Sequence, residues 1–355
     1  MEDRANGIET KVRLGLSRLA EDGVAGLGVN LSALYHDDVH LRASHPMDES
    51  HGTDSVVERL WTPLMAALPD LERRDLIVTG GRFDGRDYVA MLGHYCGTFR
   101  RDWLDIPATG QVLYLRYGEV HEMRDGRIVQ SNCLWDVLDV VRQAGLWPIA
   151  PSLGTEGMWP GPLTGDGLDL KARDPAQSAT SLAQTLAMHA TLGAYDDIAG
   201  AGRQGLLDMP QRAHWHPRMM WYGPAGIGTA RGLAGFVDHH QLPFRTAFPR
   251  RTGGGQWDRI AEAKSRHGGG HYVRLGDGPY SVTGGWPSVH AVHTGGGFLG
   301  LGPTGREVTM RVMDFYLHHE GLIRENWVPL DMLDLLAQMD VDVLARMRAR
   351  LGRGG

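Results

Sequence analysis

The sequence predicts an α+β fold that occurs twice in tandem, and three observations carry that reading. Thr109-Gly110, Gly126-Arg127-Ile128 and Trp135-Asp136 recur as Thr304-Gly305, Gly321-Leu322-Ile323 and Leu330-Asp331, each pair 195 positions apart. Gly52, Pro63-Leu64, Ala67 and Pro69 recur as Gly232, Pro243-Phe244, Ala247 and Pro249, all 180 apart. Within each copy, helical patterns precede a run of antiparallel strand patterns and a closing helix, which is the α+β order. Self-similarity at a fixed long spacing sets domain count before any motif is read. The expected division is residues 1–147 for the first domain, 148–180 for a Pro- and Gly-rich linker, and 181–355 for the second. The two offsets differ by 15, so the second copy has gained about that much chain between Pro249 and Thr304.

Copy one opens with two apolar-periodic stretches, 12–20 and 27–34, read as helices that end at the acidic, His-rich Tyr35-His36-Asp37-Asp38-Val39. A third helix follows Gly52, with Thr53 as N-cap and Val56, Val57, Leu60 and Leu64 on one face. Pro63 weakens its last turn and Pro69-Asp70 stops it. Enrichment in β-branched and aromatic residues predicts strands over 76–79, 88–92, 111–121 and 127–134. The hairpin turn Arg124-Asp125-Gly126-Arg127 joins the last two. A short helix over 137–144 closes the copy at Gly145. Residues 148–167 carry four prolines and many glycines and read as an ordered linker or arm.

Copy two repeats the plan with a helix over 181–192, the segment 231–248, strands near Tyr272 and Val282 and over 308–317 and 322–328. Its last helix is expected to run from about Met332 into the Arg-rich tail. The added length surrounds Gly253-Gly254-Gly255 and Gly268-Gly269-Gly270, read as a flexible flap. One curved sheet wrapped around helices leaves an internal pocket, the usual place for a small ligand.

Composition narrows the function classes. The net charge is −6 and only Lys11, Lys171 and Lys264 are lysines, so a polyanion-binding surface and a nucleic-acid partner are not expected. Cys96 and Cys133 are too few for a disulfide framework or a four-ligand metal site. Met1-Glu2-Asp3-Arg4 has no apolar core for a signal peptide, and no apolar run approaches the ~20 residues of a membrane helix. A soluble, cytoplasmic protein is the expectation.

Ile106-Pro107-Ala108-Thr109-Gly110, the strand to Glu119, the turn Asp125-Gly126-Arg127-Ile128, and Asp136 followed by Leu138, Val141 and Gln143-Ala144-Gly145 resemble the SnoaL-like polyketide cyclase family. Copy two carries the pattern as Leu301-Gly302-Pro303-Thr304-Gly305, Gly321-Leu322-Ile323, Glu325-Asn326-Trp327, Asp331 and Leu335-Leu336-Ala337-Gln338. The resemblance spans about residues 31–145 and 192–340. It implies two cone-shaped α+β barrels of the nuclear transport factor 2-like superfamily. They would pair within the chain as that superfamily's homodimers do, with a further homodimer left open. It also implies an intramolecular aldol ring closure, with a carboxylate matching Asp136 and Asp331 as general acid/base and no metal or redox cofactor. In an apolar cone, desolvation raises such a carboxyl toward the useful range. The superfamily also holds isomerases, hydrolases, dehydratases and binders. Catabolic hydrolysis or dehydration, and ligand binding without catalysis, therefore remain alternatives.

Asp331 and Asp136 each follow a strand and precede an apolar helical stretch, which describes an acid/base candidate and an ordinary N-cap equally well. His290 and His94 are the candidate catalytic histidines. By strand alternation Asn132 and Gln130 share a face with Asp136, and Trp327 and Glu325 with Asp331. Glu119 and Asp314 are matched between copies and are candidate second carboxylates in the cavity. Arg116 and Arg311, three residues earlier, fall on the opposite face. Asp139 and Asp334 read as solvated helix positions. Trp221-Tyr222 leads a Gly-rich run to Gly228, and Trp286 follows Gly284-Gly285, so these aromatics frame a flat hydrophobic ligand. The candidate substrate-binding set is thus Trp327, Trp286, Tyr222, Trp221, Asn132, Asp314 and Glu119. The pairs His239-His240 and His318-His319, and His290 with His293, do not converge by spacing, so no metal site is expected. Copy two is read as the working half, acting on a small hydrophobic carbonyl compound.

Overall fold

Asp125-Gly126 (φ 51° and 72°) and Glu320-Gly321 (φ 53° and 75°) turn the chain through the same two-residue hairpin in each copy. Both central residues are left-handed, the type that matches strand twist and favours Asp-Gly. The computed structural model describes residues 7–169, 171, 173–194, 202–251 and 270–352. They fall into two units. One comprises Met1–Pro148, Pro160–Arg173 and Val343–Gly355, the other Ile149–Trp159 and Asp174–Asp342.

In the first unit, helices α1 (Ile8–Glu21), α2 (Gly23–Leu34), α3 (Thr53–Val56) and α4 (Thr62–Ala67) accompany β1 (Tyr35–Ala43), β2 (Glu49–His51), β3 (Glu72–Phe83), β4 (Arg86–Thr98), β5 (Val112–Arg124) and β6 (Arg127–Trp135). A π-turn, Val57–Trp61, joins α3 to α4, and α5 (Val137–Gln143) follows β6. The strand order is β2-β1-β6-β5-β4-β3, antiparallel except for the parallel pair β1 and β6. Residues 35–43, where a helix ends in the sequence reading, therefore begin the sheet. The carboxylates of Asp37 and Asp38 are compatible with a strand there because both are exposed.

The second unit repeats this topology. Its elements are α6 (Pro175–Ala194), α7 (Gly202–Asp208), β7 (Trp215–Tyr222), β8 (Thr229–Arg231), α8 (Gly232–Phe236), the π-turn Val237–Gln241, α9 (Leu242–Ala247), β9 (Arg250–Arg251), β10 (His271–Asp277), β11 (Tyr280–Val292), β12 (Glu307–His319), β13 (Leu322–Trp327) and α10 (Met332–Gln338). The order is β10-β11-β12-β13-β7-β8, again with one parallel pair, β13 and β7, and with β9 on β11. Each unit is thus a curved sheet closing over helices, the cone-shaped α+β barrel expected in duplicate. The π-turns sit at matched positions, 180 apart, so this widened helical turn is a property of both copies.

The expected last helix is two helices. Asp340 (φ 62°) breaks the chain after α10, and α11 (Val343–Arg350) belongs to the first unit, where Arg348 pairs with Asp105 at 3.0 Å. The Pro- and Gly-rich arm is ordered and divided. Gly154 donates to Ile227 O at 3.0 Å within the second unit, whereas Val78 donates to Gly167 O at 2.9 Å within the first. Gly253-Gly254-Gly255 and Gly268-Gly269 of the expected flap lie outside the described residues, and Gly270 directly precedes β10. Among the described residues no helix is long and apolar enough to cross a membrane.

Thr53 is the first residue of α3 and not its cap; Gly52 occupies that place at φ 83°, ψ 155°, with no side-chain cap bond. Gly232, its counterpart, opens α8 at φ 66°. Space is not the constraint at either position, because an added Cβ would meet nothing nearer than a backbone oxygen at 3.7 Å. The constraint is the backbone conformation, which L side chains rarely adopt. Gly52→Ala and Gly232→Ala are therefore each expected to cost about 1–2 kcal/mol in urea unfolding.

Candidate functional site

The central strands β5 and β12 carry the same alternation, and each presents one carboxylate to the interior of its unit. These are Glu119 in the first and Asp314 in the second, at matched positions 195 apart. What surrounds them differs. Glu119 accepts from Arg73 Nη1 at 2.8 Å, Tyr95 OH at 2.9 Å and Trp135 Nε1 at 2.9 Å, with His121 at 3.5 Å. Arg73 also pairs with Asp75 at 2.9 Å and lies over the Tyr117 ring. Burial alone would raise the Glu119 carboxyl, but Arg73, His121 and Trp135 hold it down at about 2. Around this network Trp61, Tyr95, Tyr117 and Trp135 pack edge-on and tilted, with centroids 4.9–6.5 Å apart. The first interior is filled at these positions.

In the second unit the matched residues are smaller. Trp61 corresponds to Gln241, Tyr117 to Val312 and Trp135 to Leu330, and these three replacements line a cavity of about 320 Å³. One wall comes from the helices, with Met188, His189 and Leu192 of α6, then Phe236, His240, Gln241, Phe244 and Arg245 along α8, the π-turn and α9. The sheet supplies the other, including Met310, Asp314 and Tyr316 of β12 and Asn326 of β13. The ladder between β11 and β12 slips between Gly285 and Val289, a bulge that brings Ser288 to the cavity. Gly285 is required there, because its Cβ would lie 2.5 Å from Ser288 Cα, a backbone atom that cannot rotate away.

Asp314 accepts from Asn326 Nδ2 at 3.3 Å and from the Tyr316 hydroxyl, which also meets His189 Nε2 at 2.8 Å. Burial raises its carboxyl to about 6 despite these donors. Among the described residues it has no ion-pair partner. The cavity histidines are pushed the other way: burial lowers His189 and His240 to about 3 and His271 to about 4, so all three are neutral at pH 7. Trp221, His240 and Phe244 stack in sequence at 4.2 and 5.5 Å and give the helix wall a flat aromatic surface.

The sequence-predicted residues separate into two groups. Asp314 and Trp221 line this cavity. Asp331 is instead the N-cap of α10, accepting from Asp334 N at 3.2 Å and pairing with Arg311 at 3.1 Å. Asp136 caps α5 in the same way, accepting from Asp139 N at 3.0 Å and pairing with Arg116 at 2.7 Å. Asp139 is buried on Arg116 and Arg142, not solvated. Trp286 lies under the Arg311 guanidinium. Trp327 stacks on Tyr222 at 5.1 Å, and Tyr222 donates to Glu325 at 2.8 Å. His94 sits opposite Arg116 in the ladder, edge-on to Tyr114, and burial lowers it to about 4. His290 is buried on β11 opposite Thr309, and Asn132 donates to Val120 O at 3.2 Å. None of these lies among the cavity-lining residues.

Asp331 lies beyond the end of β13 at Trp327, and the cavity is lined instead by Asn326, Val328 and Leu330. Tyr316, Gln241, His189, His240 and His271 are cavity residues that sequence reading did not select. Subtracting one copy from the other at Trp61/Gln241, Tyr117/Val312 and Trp135/Leu330 would have pointed to the hollow. Among the described residues no group of three or more His, Cys, Asp or Glu is arranged to hold a metal ion.

A family model described as SnoaL-like polyketide cyclase matches residues 29–144 and 287–339, one segment in each unit. Among solved structures, a proposed SnoaL-like polyketide cyclase from Jannaschia sp. CCS1 is 20% identical, covering 38% of this chain and 91% of its own, with a TM-score of 0.32. IdmH, a proposed polyketide cyclase from Streptomyces antibioticus, is 19% identical over 39% of this chain and 99% of its own, TM-score 0.33. AclR, a proposed hydroxylase from Streptomyces galilaeus, is 17% identical over 39% and 95%, TM-score 0.32. No curated protein matches the chain.

Two stability predictions follow from the paired carboxylates. Arg73→Met leaves Asp75 and Glu119 buried without their shared cation, and should cost about 3–5 kcal/mol in urea unfolding at pH 7. Asp314 behaves oppositely. Its folded value, about 6, lies above its unfolded one, so the native state binds more protons and loses stability as pH rises from about 4 to 6. Asp314→Asn removes that penalty. It should be more stable than wild type by about 3 kcal/mol at pH 8, with the difference gone below about pH 3.

Proposed function

We propose, on the premise that this chain belongs to the SnoaL-like polyketide cyclase family and carries its cone-shaped fold twice, that the second unit is a general acid/base catalyst for a small hydrophobic carbonyl compound. Asp314 is the group that takes and returns the proton. The observation that carries this reading is one carboxylate, raised to about 6, in a cavity whose wall is otherwise mainly apolar and aromatic. A base with a value near the working pH combines a useful ionised fraction with a useful driving force for transfer. The neighbouring histidines are neutral and put no opposing charge beside it.

In this mechanism ionised Asp314 removes a proton from the carbon next to a carbonyl, leaving an enolate. Tyr316 and Asn326 keep the carboxyl in one orientation as its charge is lost. For ring closure, the enolate carbon attacks a second carbonyl of the same molecule, and the alkoxide formed recovers the proton from Asp314. For isomerisation the proton returns to a different carbon. Both balance without an external oxidant or reductant. Asp136 and Asp331 keep helix-capping roles, and the first unit, filled around Arg73, acts as a structural partner.

The test uses 1-tetralone, a flat ketone whose C2 protons exchange with D2O. The full chain should accelerate exchange, with a rate that rises with pH to a plateau above about 6. Asp314→Asn should slow it by about 100-fold or more, while Asp331→Asn leaves it unchanged and lowers stability by about 1 kcal/mol through the lost cap. A folded Asp314→Asn protein that exchanges at the wild-type rate would remove the assignment. Tetralone bound without exchange in wild type would leave a binding protein.

A further inference from the structure

We infer that Gln241 reads the ligand's carbonyl oxygen, making the π-turn of the second unit the specificity-determining part of the cavity. The inference extends the proposed site and rests on its being a ligand site. At 6% exposure the Gln241 side chain is buried, and it lines the cavity where the first copy has Trp61. Its two neighbours on that wall have changed in the same sense: Leu60 corresponds to His240 and Met65 to Arg245. Three residues that only fill space in one copy have become polar in the other.

The amide orientation follows from donor chemistry. Arg245 Nε donates to Gln241 Oε1 at 2.9 Å, and a guanidinium has no acceptor to offer. The oxygen is therefore held on Arg245, and the NH2 end is turned away from it with no protein acceptor among the described residues. An amide donor held in this way on a cavity wall selects an acceptor atom in the occupant, because leaving its hydrogens unsatisfied costs more than the bond gains. The stacked Trp221, His240 and Phe244 beside it select a flat body. The chemistry that fits is a planar ring system with a C=O at its edge, and a hydrocarbon of the same shape is the compound it rejects.

The pair 9-fluorenone and fluorene isolates this feature, since the two differ only at the carbonyl. In equilibrium dialysis against the full chain, fluorenone should bind about 5- to 10-fold more tightly than fluorene. Gln241→Met, which keeps length and removes the donors, should abolish the preference while leaving fluorene affinity unchanged. Gln241→Glu retains the Arg245 partner, so it folds as wild type, and it should also lose the preference. Asp314→Asn should keep it, so loss of proton exchange and loss of carbonyl selection are separately readable. A preference that survives in both Gln241 variants overturns the inference, as does a wild-type chain that binds the two compounds alike or binds neither.

Discussion

A carboxylate on the inner face of the middle strand has to be answered, because an ionised group removed from water is tolerated only when paired, hydrogen-bonded or neutralised. The two units answer it in opposite ways. Around Glu119 the first unit assembles a guanidinium, a tyrosine hydroxyl and an indole N–H, and the carboxylate becomes a permanently charged strut. Asp314 receives an amide and a phenol, both neutral, and so sits where a proton can come and go. One position in one fold thus serves as scaffold in one copy and as a titrating group in the other.

Volume follows the same division. Trp61, Tyr117 and Trp135 form the aromatic packing that surrounds the Arg73 network, and each has a smaller counterpart in the second unit. A close-packed interior has few voids, so a hollow must be made by removing atoms from a wall that the rest of the fold keeps rigid. The features shared by both copies supply that rigidity: the left-handed hairpin turns, the Asp cap with its Arg partner, the glycine that opens the inner helix, and the π-turn. The replacements at Trp61, Tyr117 and Trp135 line the cavity of the second unit.

Much of the fold was legible in the sequence because it rests on local signals. Asp125-Gly126 marks a turn from two residues, and the duplication places its twin without further reasoning. The site was less legible. Alternation was carried from Trp327 and Glu325 to Asp331 past the end of the strand, and both faces of β12 and β13 are largely buried, so polarity does not reveal which side holds the hollow. Asp331 drew the catalytic role because it ends a strand, a place where capping and proton transfer use the same residue type. Asp314 was visible only as a secondary candidate. His189, His240 and His271 converge from a helix, a π-turn and a distant strand, and no spacing rule joins three such elements. Asp139 illustrates the same limit: a helical carboxylate reads as solvated until the strand arginine beneath it is seen.

The final helix carries a consequence for how the molecule comes into being. Residues 343–352 belong to the first unit, as do residues 160–169 of the arm, although residues 174–342 of the second unit are encoded between them. A ribosome therefore releases the first barrel in an unfinished state. Asp105 and the carbonyl of Trp147 wait for Arg348 and Arg350 until the second unit has been made. Release of the halves as independent proteins by a cut in the arm would strand that helix on the wrong fragment, so the duplicated gene has become a single folding commitment.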